Sequence, residues 1–532
     1  MRRLWAFTCV LFAASLARTG PVTADPRPLH LGLIQQPNSL DPLHATEFYE
    51  NYLSEAIFSG LTVIDDRGQA SADLAEMVPT RANGGISADG TTIVYHLRAG
   101  VRWQDGAPLT SRDVAFTFAR MQDPQTNFPE TSVYAIVRAV ETPDARTVVL
   151  RLRRPWADAT VELFVGGQNG SILPEHVLGR ADAAAAARFE SAPIGSGPYR
   201  VERWDRGDRI VLRANAGYFR GKPAIDRIDV EFVPDTTTMG IRVRTGELDF
   251  SPQISPAFVE IARTIPRLQV RSAPTYTDVE LVFNVHAAPV DDARVRRALG
   301  LAIDRQRLVT TVYHGFAVVG DDLVPPQSPF HTRDASLAPH GDQARAAALL
   351  DAAGWRLESD GMRHKGGAAL SIPLTINAGY VLIAADAVQL QAMWHAIGVD
   401  APLRPQMANV LLDTTGPLAR GDYVATLAGD GYAVSPDRAD TLTGPGLPPG
   451  GRNYAHYANR DVDAWTAAAR TTLDASARAT LYGKISERIR DDAPLIPLLW
   501  TLAPYVYDGA LEGLRPEPVN SDMWNVYAWH WH

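Results

Sequence analysis

Two histidines at the carboxyl terminus, His530 and His532, have a type and spacing that suggest a metal-binding site. In the tail Trp529-His530-Trp531-His532 the imidazoles stand two residues apart, so an extended chain places both on one side. Two ring nitrogens can begin a transition-metal site, but such a site needs one or two further ligands. We therefore predict no native metal site and no cofactor, and a surface terminus whose tryptophans pack on the protein.

Motifs for a nucleophile or a catalytic metal are missing from the sequence. There is no Gly-x-Ser-x-Gly turn to present a serine and no His-Glu-x-x-His helix to bind zinc. The segment from Gly217 to Lys222 fails as a phosphate-binding loop, because Pro223 occupies the position that requires Ser or Thr. We predict a protein that is not an enzyme; the alternative class is a secreted hydrolase acting on a peptide or a glycoside.

The amino terminus has the three parts of a secretory signal peptide. A basic start precedes an apolar run of 13 residues, Leu4–Leu16, and a small-residue exit ends at Ala24. The run is shorter than the roughly 20 residues that cross a bilayer. We predict that residues 1–24 are a signal peptide, with Ala17 as the alternative cleavage position, and that the mature protein is soluble in the periplasm without membrane insertion.

Cysteine usage and charge exclude further classes. Cys9, the only cysteine, lies inside the apolar run and not at its end, so we predict no lipid anchor. The mature chain then has no thiol for a disulfide or a nucleophile. Loss of Arg2, Arg3 and Arg18, with no acids, changes the formal net charge from −9 to −12. An acidic chain without a basic cluster is a poor partner for nucleic acid.

Strand-like and helix-like segments alternate along the chain. Runs bounded by Gly, Asp and Pro predict strands at Thr91–Tyr95, Thr147–Leu150 and Arg209–Leu212. Thr110 has the chemistry of a helix N-cap. Periodic segments predict helices over Asp342–Ala353, Asp291–Val312 and Asp461–Ile489. This mixture favours an α/β or α+β fold.

Two segments are candidates for hinge strands. Val279–Val285 is a predicted strand where the chain changes from strand-rich to helix-rich, and Ala493–Leu498 returns it to strand near the other end. A region that the chain enters once and leaves once would fit these two places. We predict that the two segments connect two lobes.

A series of short motifs occurs in order along almost the whole chain. The motifs are Ser39–Pro42, Glu55–Leu61, Asp89–Thr91, His96–Gly106, Asp113–Phe116, Pro193–Tyr199, Gly246–Asp249, Phe283–Asn284, Val295–Leu299, Ala302–Arg305, Asp351–Trp355 and Ile496–Leu498. From Leu40 to Leu498 the sequence thereby resembles extracytoplasmic solute-binding protein family 5, which includes the oligopeptide, dipeptide and nickel binders of ABC importers. Most of the motifs are expected to be fold signatures and not ligand contacts.

The resemblance implies a bilobal periplasmic-binding-protein fold whose lobes close on a ligand. It places the first lobe at residues 25–283 and 500–532, with an inserted subdomain at about 58–213, and the second lobe at 284–499. It further implies a monomer that delivers a peptide-like ligand to the transmembrane subunits of an ABC permease.

One loop of the second lobe is expected to identify the ligand. In peptide-binding members of the family, a loop before a proline carries a tryptophan and an aspartate, and the aspartate holds the ligand's ammonium. The matching loop here ends at Pro436, which aligns Gly429 with the tryptophan and Tyr432 with the aspartate. The ammonium clamp is therefore missing unless Asp430 replaces it in a rearranged loop. The alternative for Asp430 is a turn residue that bonds its own backbone.

The second charged clamp is also unmatched. Dipeptide binders hold the ligand carboxylate with an arginine upstream of this loop, and the region here, Asn377–Val381, contains Tyr380 but no arginine. The resemblance thus implies a ligand with stacking surface and blocked or buried termini, such as a modified peptide, a metal-chelating peptide or an opine-like conjugate.

Two further segments complete the predicted site. The family's ligand-facing stretch after the Leu-Asp-Pro motif includes Thr46 and Phe48 here, where an extended ligand can pair with backbone. Gln168 and Asn169 lie in a glycine-rich segment and are either amide contacts for the ligand or polar loop residues.

Overall fold

The computed structural model describes residues 27–167, 170–252, 254–332, 339–429, 431, 434–519 and 522–532. The predicted signal peptide lies outside these ranges, and so do four predicted ligand-binding residues, Gln168, Asn169, Asp430 and Tyr432. Within them, no helix has the length and hydropathy of a membrane span.

Strands and helices alternate through the described chain, which confirms the predicted α/β class. The strands are β1 (Leu29–Leu33), β2 (Thr62–Ile64), β3 (Ala70–Ala72), β4 (Thr92–His96), β5 (Val137–Asp144), β6 (Thr147–Leu152), β7 (Tyr199–Asp205), β8 (Arg209–Ala214), β9 (Arg227–Phe232), β10 (Phe250–Ser251), β11 (Leu268–Phe283), β12 (Ala317–Val319), β13 (Arg356–Leu357), β14 (Arg363–Lys365), β15 (Ala368–Ala369), β16 (Leu374–Asn377), β17 (Leu403–Gln406), β18 (Ala425–Ala428), β19 (Leu495–Asp508), β20 (Leu511–Glu512) and β21 (His530–Trp531). The helices are α1 (Phe48–Ile57), α2 (Ser111–Gln122), α3 (Thr131–Tyr134), α4 (Ala159–Glu162), α5 (Glu175–Leu178), α6 (Ala183–Phe189), α7 (Thr236–Thr245), α8 (Pro256–Ala262), α9 (Ala293–Leu301), α10 (Arg305–Thr311), α11 (Gln343–Ala352), α12 (Val381–His395), α13 (Ala408–Leu411), α14 (Pro417–Arg420), α15 (Ala439–Leu442), α16 (Arg460–Thr471) and α17 (Ala475–Asp492).

Each of the two long helices predicted from the sequence is in fact a pair of helices. The first divides into α9 and α10, because the Asp304 carboxylate accepts the backbone N–H of Arg307 at 2.8 Å and starts a new helix. The second divides into α16 and α17, where Asp474 caps Ala477 in the same way at 2.8 Å. An aspartate that bonds the backbone locally competes with continuation of a helix. The predicted cap at Thr110 is confirmed at the start of α2.

One sheet of eleven strands extends through the described molecule. Its order is β17-β16-β18-β11-β19-β10-β1-β9-β8-β7, and β12 adds to β19. Smaller sheets, β4-β6-β5 and β2-β3, lie in the predicted inserted subdomain. Strands β7 and β8, also within its predicted range, pair with β9 in the large sheet. The boundaries of that subdomain stay a prediction.

Buried apolar residues form separate cores on either side of the β11–β19 pair. One large core combines residues from Leu29 to Ala273 with residues from Tyr505 to Trp529. A second large core contains only residues between Val279 and Leu499. We call the parts of the chain around these cores the first half (27–274 and 502–532) and the second half (279–499).

The two halves are joined by the central part of the β11–β19 ribbon. Pro274 pairs with Leu502 and Asp278 pairs with Trp500, so β11 has extra residues that β19 does not match. Such a bulge bends a strand and increases its twist. Threonine hydroxyl groups stabilise the bulge. The Oγ1 atoms of Thr275 and Thr501 lie 2.7 Å apart, and the Thr501 hydroxyl donates to the Thr277 carbonyl at 3.2 Å. We call this bulge the crossing.

Candidate ligand-binding cleft

Three parallel strands of the second half end at one edge of the sheet. β16 pairs in parallel with β17 and with β18, so the residues after Asn377, Gln406 and Ala428 are neighbours. Two of the predicted ligand-binding residues, Tyr380 and Gly429, follow these ends. The structure therefore brings both predicted residues to the same edge.

Local hydrogen bonds present Tyr380 to solvent. The Asn377 side chain accepts the Gly379 N–H at 3.0 Å, and its carbonyl accepts the Tyr380 N–H at 3.2 Å. This turn places Tyr380 at the N-cap of α12 with 59% of its surface exposed. Beside it, Val381 and Met407 are also exposed apolar residues. The edge thus offers apolar area that a ligand could cover.

Three parallel strands of the first half end in the corresponding place. β1 pairs in parallel with β9 and β10, so Leu33, Phe232 and Ser251 end at one edge. β10 is antiparallel to β19, with Phe250 opposite Tyr507 and Ser251 opposite Val506. Its carboxyl end is therefore directed along β19 towards the crossing.

The parallel strands of the second half are also directed at the crossing, from the opposite side. β18 is antiparallel to β11, with Ala425 opposite Phe283 and Ala428 opposite Glu280. Its carboxyl end therefore also runs towards the crossing. An isolated bridge between Thr277 and Gly431 continues this pairing. In open α/β sheets, ligands bind outside the carboxyl ends of parallel strands. Both halves thus direct the carboxyl ends of their parallel strands at the space beside the crossing.

A buried ion cluster supports the loop that follows β18. Arg438 donates to Glu280 at 2.8 Å and lies 3.5 Å from Asp278, and all three side chains are at most 4% exposed. Because both acids belong to β11, the cluster fixes the chain after Pro436 to the crossing strand. The sequence analysis missed Arg438, whose only signal was its place two residues after Pro436.

Contacts also join the two halves directly. Asp158, at the start of α4, accepts from Arg478 at 2.7 Å and from the Ser435 hydroxyl at 2.8 Å. Asp158 and Arg478 are 5% and 6% exposed. The Ala157 N–H donates to the Arg470 carbonyl at 2.8 Å. The first half therefore contacts the second half one residue before Pro436, next to the loop predicted to read the ligand.

The comparisons with known proteins agree with this geometry. Residues 72–446 match the family model described as bacterial extracellular solute-binding proteins, family 5. The chain belongs to this family. It is 25% identical over 509 residues to the oligopeptide-binding protein AppA of Bacillus subtilis, covering 94% of this chain and 91% of that protein. It is 27% identical over 467 residues to the glutathione-binding protein GsiB of Salmonella typhimurium, covering 87% and 86%.

The solved structures show the same fold. The ABC transporter substrate-binding protein CtaP of Listeria monocytogenes superposes with a TM-score of 0.81 at 23% identity, over 95% of this chain and 99% of that one. The bilobal fold predicted from the motifs is thereby confirmed. The relatives support a solute-binding protein and not the hydrolase alternative.

In this solute-binding protein, the predicted first-half residues lie at the start of α1. Glu50 is buried and accepts the backbone N–H groups of Asn38 at 2.9 Å, Glu47 at 2.6 Å and Thr46 at 3.3 Å. The Thr46 N–H is therefore already bonded within the protein. The Phe48 ring is half-buried and lies 5.3 Å from that of Tyr52.

An acid of the first half faces the same junction. Burial raises the pKa of Glu162 in α4 to about 8, and the charges of Asp158, Asp437 and Glu130 add to this rise. Arg478 neutralises Asp158, and Arg470 pairs with Asp437. Within the described ranges, Glu162 has no hydrogen bond or ion pair of its own. Near neutral pH it therefore holds a proton.

The histidine tail has a structural role in the first half. His530 and His532 lie 3.2 and 3.1 Å from the Glu512 carboxylate, and β21 pairs with β20. Trp529 is completely buried, and Trp531 donates to the Arg27 carbonyl at 3.0 Å. The described residues contain no group of three or more His, Cys, Asp or Glu arranged for a metal.

Proposed function

We propose that this chain is the substrate-binding component of an ABC importer and captures a peptide-like ligand between its two halves. The observation that carries the proposal is the convergence of two sets of parallel strand ends, after Ser251 and after Ala428, on the crossing. A ligand in this space would contact both halves. Hinge closure around a ligand is the working motion of periplasmic binding proteins.

The two halves are proposed to act as lobes that close. The predicted boundaries are 25–283 with 500–532 for the first lobe and 284–499 for the second. The bulge between Pro274 and Asp278 is the place where a small change of backbone angle would rotate one half against the other. The Asp158 contacts with Arg478 and Ser435 would form on closure.

The ligand is proposed to be a peptide or peptide-like molecule without two freely accessible charged termini. Relatives named for oligopeptides and glutathione support the peptide class. The exposed apolar edge at Tyr380 and the absence of an arginine in Asn377–Val381 support a modified or chelating peptide. The proposed contacts are Thr46, Phe48, Gln168, Asn169, Tyr380, Gly429, Asp430 and Tyr432.

The mature protein is proposed to work as a periplasmic monomer, without a lipid anchor, that docks on the permease of its importer. The apolar run before Ala24 and the position of Cys9 within it support this location. We propose that it performs no catalysis, which a turnover screen against esters, peptides and glycosides would test.

Two measurements test the binding function. Native mass spectrometry of protein purified from its own periplasm should detect one bound ligand per chain. Small-angle scattering should show a smaller radius of gyration with that ligand than after its removal. A radius that stays the same at saturating ligand would contradict closure of the halves.

A calorimetric panel tests the ligand class. Free dipeptides should bind weakly, because neither charged clamp is matched in this chain. Tyr432→Ala should weaken binding of the natural ligand about tenfold, since an aromatic contact contributes ~0.5–1.5 kcal/mol beyond its buried area. Asp430→Asn should cost more, ~2 kcal/mol, if Asp430 meets a ligand cation. Tight binding across the panel, or unchanged affinity in both variants, would place recognition elsewhere.

A further inference from the structure

A second cavity lies inside the second half, away from the edge that carries Tyr380. It has a volume of about 210 Å³ and is lined by helices α9, α11 and α17, the start of β19 and the loop at Asp321–Leu323. None of the predicted ligand-binding residues that the structure describes, Thr46, Phe48, Tyr380 and Gly429, lines it. The cavity is therefore separate from the proposed ligand-binding cleft.

Most of the cavity wall is apolar. Leu323, Ile489, Leu495 and Ile496 are buried residues that line it, and Leu349 contributes from α11. An engineered apolar cavity of ~150 Å³ in another protein binds benzene. By that scale, this cavity has room for a molecule of roughly eight to ten non-hydrogen atoms.

The polar groups of the wall are unequally paired. The Asp322 carboxylate is satisfied by the Ser486 hydroxyl at 2.6 Å and by the Thr332 hydroxyl at 2.7 Å. Asp321 lies 3.3 Å from a ring nitrogen of His331. These two acids therefore already have donors.

Arg297 is the exception. It extends from α9 to line the cavity, and its Nε is buried without a hydrogen-bond partner. Within the described residues its guanidinium makes no ion pair. An unpaired buried donor is costly, and a carboxylate can accept two parallel bonds from one guanidinium. Arg345 and Arg490, both exposed, add positive charge among the lining residues, and the exposed Asp491 adds a negative charge.

We propose that this cavity is a second binding site, which takes a small monocarboxylate with an apolar body. The carboxylate would pair with Arg297, and the body would lie against Leu349, Ile489 and Ile496. The occupant would also touch β19, the strand that continues into the crossing. The site is independent of the peptide-like ligand in the cleft.

Calorimetry with phenylacetate on the full mature protein tests the proposal. We expect saturable binding of one molecule per chain and at least tenfold weaker binding of phenylacetamide, which has the same shape without the charge. Arg297→Gln should weaken phenylacetate binding at least tenfold, because bonds to charged groups contribute more than neutral ones. Leu349→Trp should abolish binding by filling the cavity.

Matched controls keep the outcomes distinct. Arg307→Gln removes an exposed arginine of α10 that does not line the cavity and should leave binding unchanged. Circular dichroism should confirm that each variant folds; if Leu349→Trp does not, Arg297→Gln decides the test. Lack of saturable binding at ~1 mM phenylacetate, an affinity limit near −4 kcal/mol, would overturn the proposal. Equal affinity of the wild-type protein and Arg297→Gln would also overturn it.

Discussion

The edges that the two halves direct at the crossing differ in how they are built. In the second half, Tyr380 and Met407 are 59% and 63% exposed, so this edge offers apolar side chains. In the first half, the Glu50 carboxylate holds the backbone around Thr46 in place. In the proposed site, we therefore expect apolar area from the second half and backbone in a fixed conformation from the first half.

A similar contrast exists between two arginines that each bridge two acids. Arg438 of the second half is 4% exposed and contacts Asp278 and Glu280. Arg27 of the first half is 48% exposed and contacts Asp249 and Asp508, the latter at 2.9 Å. The arginine is therefore buried in the cluster beside the crossing and half-exposed in the first-half cluster, although the acids of both clusters are buried.

The largest effect is expected from Arg438→Met. The change leaves two buried acids without their common cation, and breaking a buried ion pair in this way costs about 3–5 kcal/mol. The free energy of unfolding, measured with urea, should fall by that amount. Arg27→Met is the matched control; the Arg27 side chain is 48% exposed and Asp508 keeps its contact with Arg267 at 3.1 Å, so the loss should be smaller than in Arg438→Met. Equal losses in the two variants would contradict the contrast between the clusters.

A smaller effect is expected from the buried acids, which should make stability depend on pH. Burial raises the pKa of Asp386 in the second half to about 7, although Tyr313 donates to it, and that of Asp522 in the first half to about 8. Above pH 4 the unfolded chain releases these protons while the folded chain keeps them. Stability therefore falls as pH rises, up to about 7 for Asp386 and about 8 for Asp522.

Asparagine at either position removes that dependence. Asp386→Asn and Asp522→Asn should each stabilise the protein at pH 9 by several kcal/mol, more for Asp522 because its pKa is raised further, and have little effect at pH 4. Thermal unfolding across this range would measure the difference. A gain of the same size at both pH values would show that the carboxyl groups do not titrate as described.

Loss of the ion pair between the halves should favour an open arrangement. Asp158→Asn leaves Arg478 with a weaker partner, so the contact should lose about 2 kcal/mol. Small-angle scattering of the ligand-bound protein should then give a larger radius of gyration than that of the ligand-bound wild type. Glu175→Gln, which breaks an exposed pair with Arg112 inside the first half, should leave the radius unchanged. An unchanged radius in Asp158→Asn would mean that this pair does not hold the halves together.

The smallest effects are expected from single substitutions at the two edges, Tyr380→Ala and Thr46→Ala. Tyr380→Ala should weaken ligand binding about tenfold, equal to 1.4 kcal/mol, because exposed aromatic area is lost. Thr46→Ala should change affinity by less than about threefold, since the backbone that contacts the ligand stays in place. Calorimetry with the ligand that mass spectrometry identifies would measure both. A larger loss in Thr46→Ala would reverse the roles of the two halves.

Much of the fold was predictable because its signals are local or ordered along the chain. The strands near Thr91, Thr147 and Arg209 lie within a residue or two of their predicted positions. The two long helices failed because an aspartate within a periodic segment can either continue a helix or cap a new one. Asp304 and Asp474 cap, and the hydrophobic period alone does not distinguish these outcomes.

The site was predictable only in part. Family motifs pointed to Tyr380 and Gly429, and the sheet places both at one edge. Arg438 had no comparable signal, because its importance comes from Asp278 and Glu280, which lie 160 and 158 residues earlier. The value of a buried charge depends on the partners that folding brings to it.

By itself, the sequence determined the family and the alternation of strands and helices, and it predicted that the usual charged clamps at Tyr432 and Asn377–Val381 are missing. Only the tertiary structure decided that two sets of strand ends meet at the crossing, and that Arg297 lines a cavity with an Nε that has no hydrogen-bond partner among the described residues. The physical reason is that motifs and periodicity record local conformation. Register, burial and charge pairing arise between segments far apart in the chain, when strands such as β11 and β19 align.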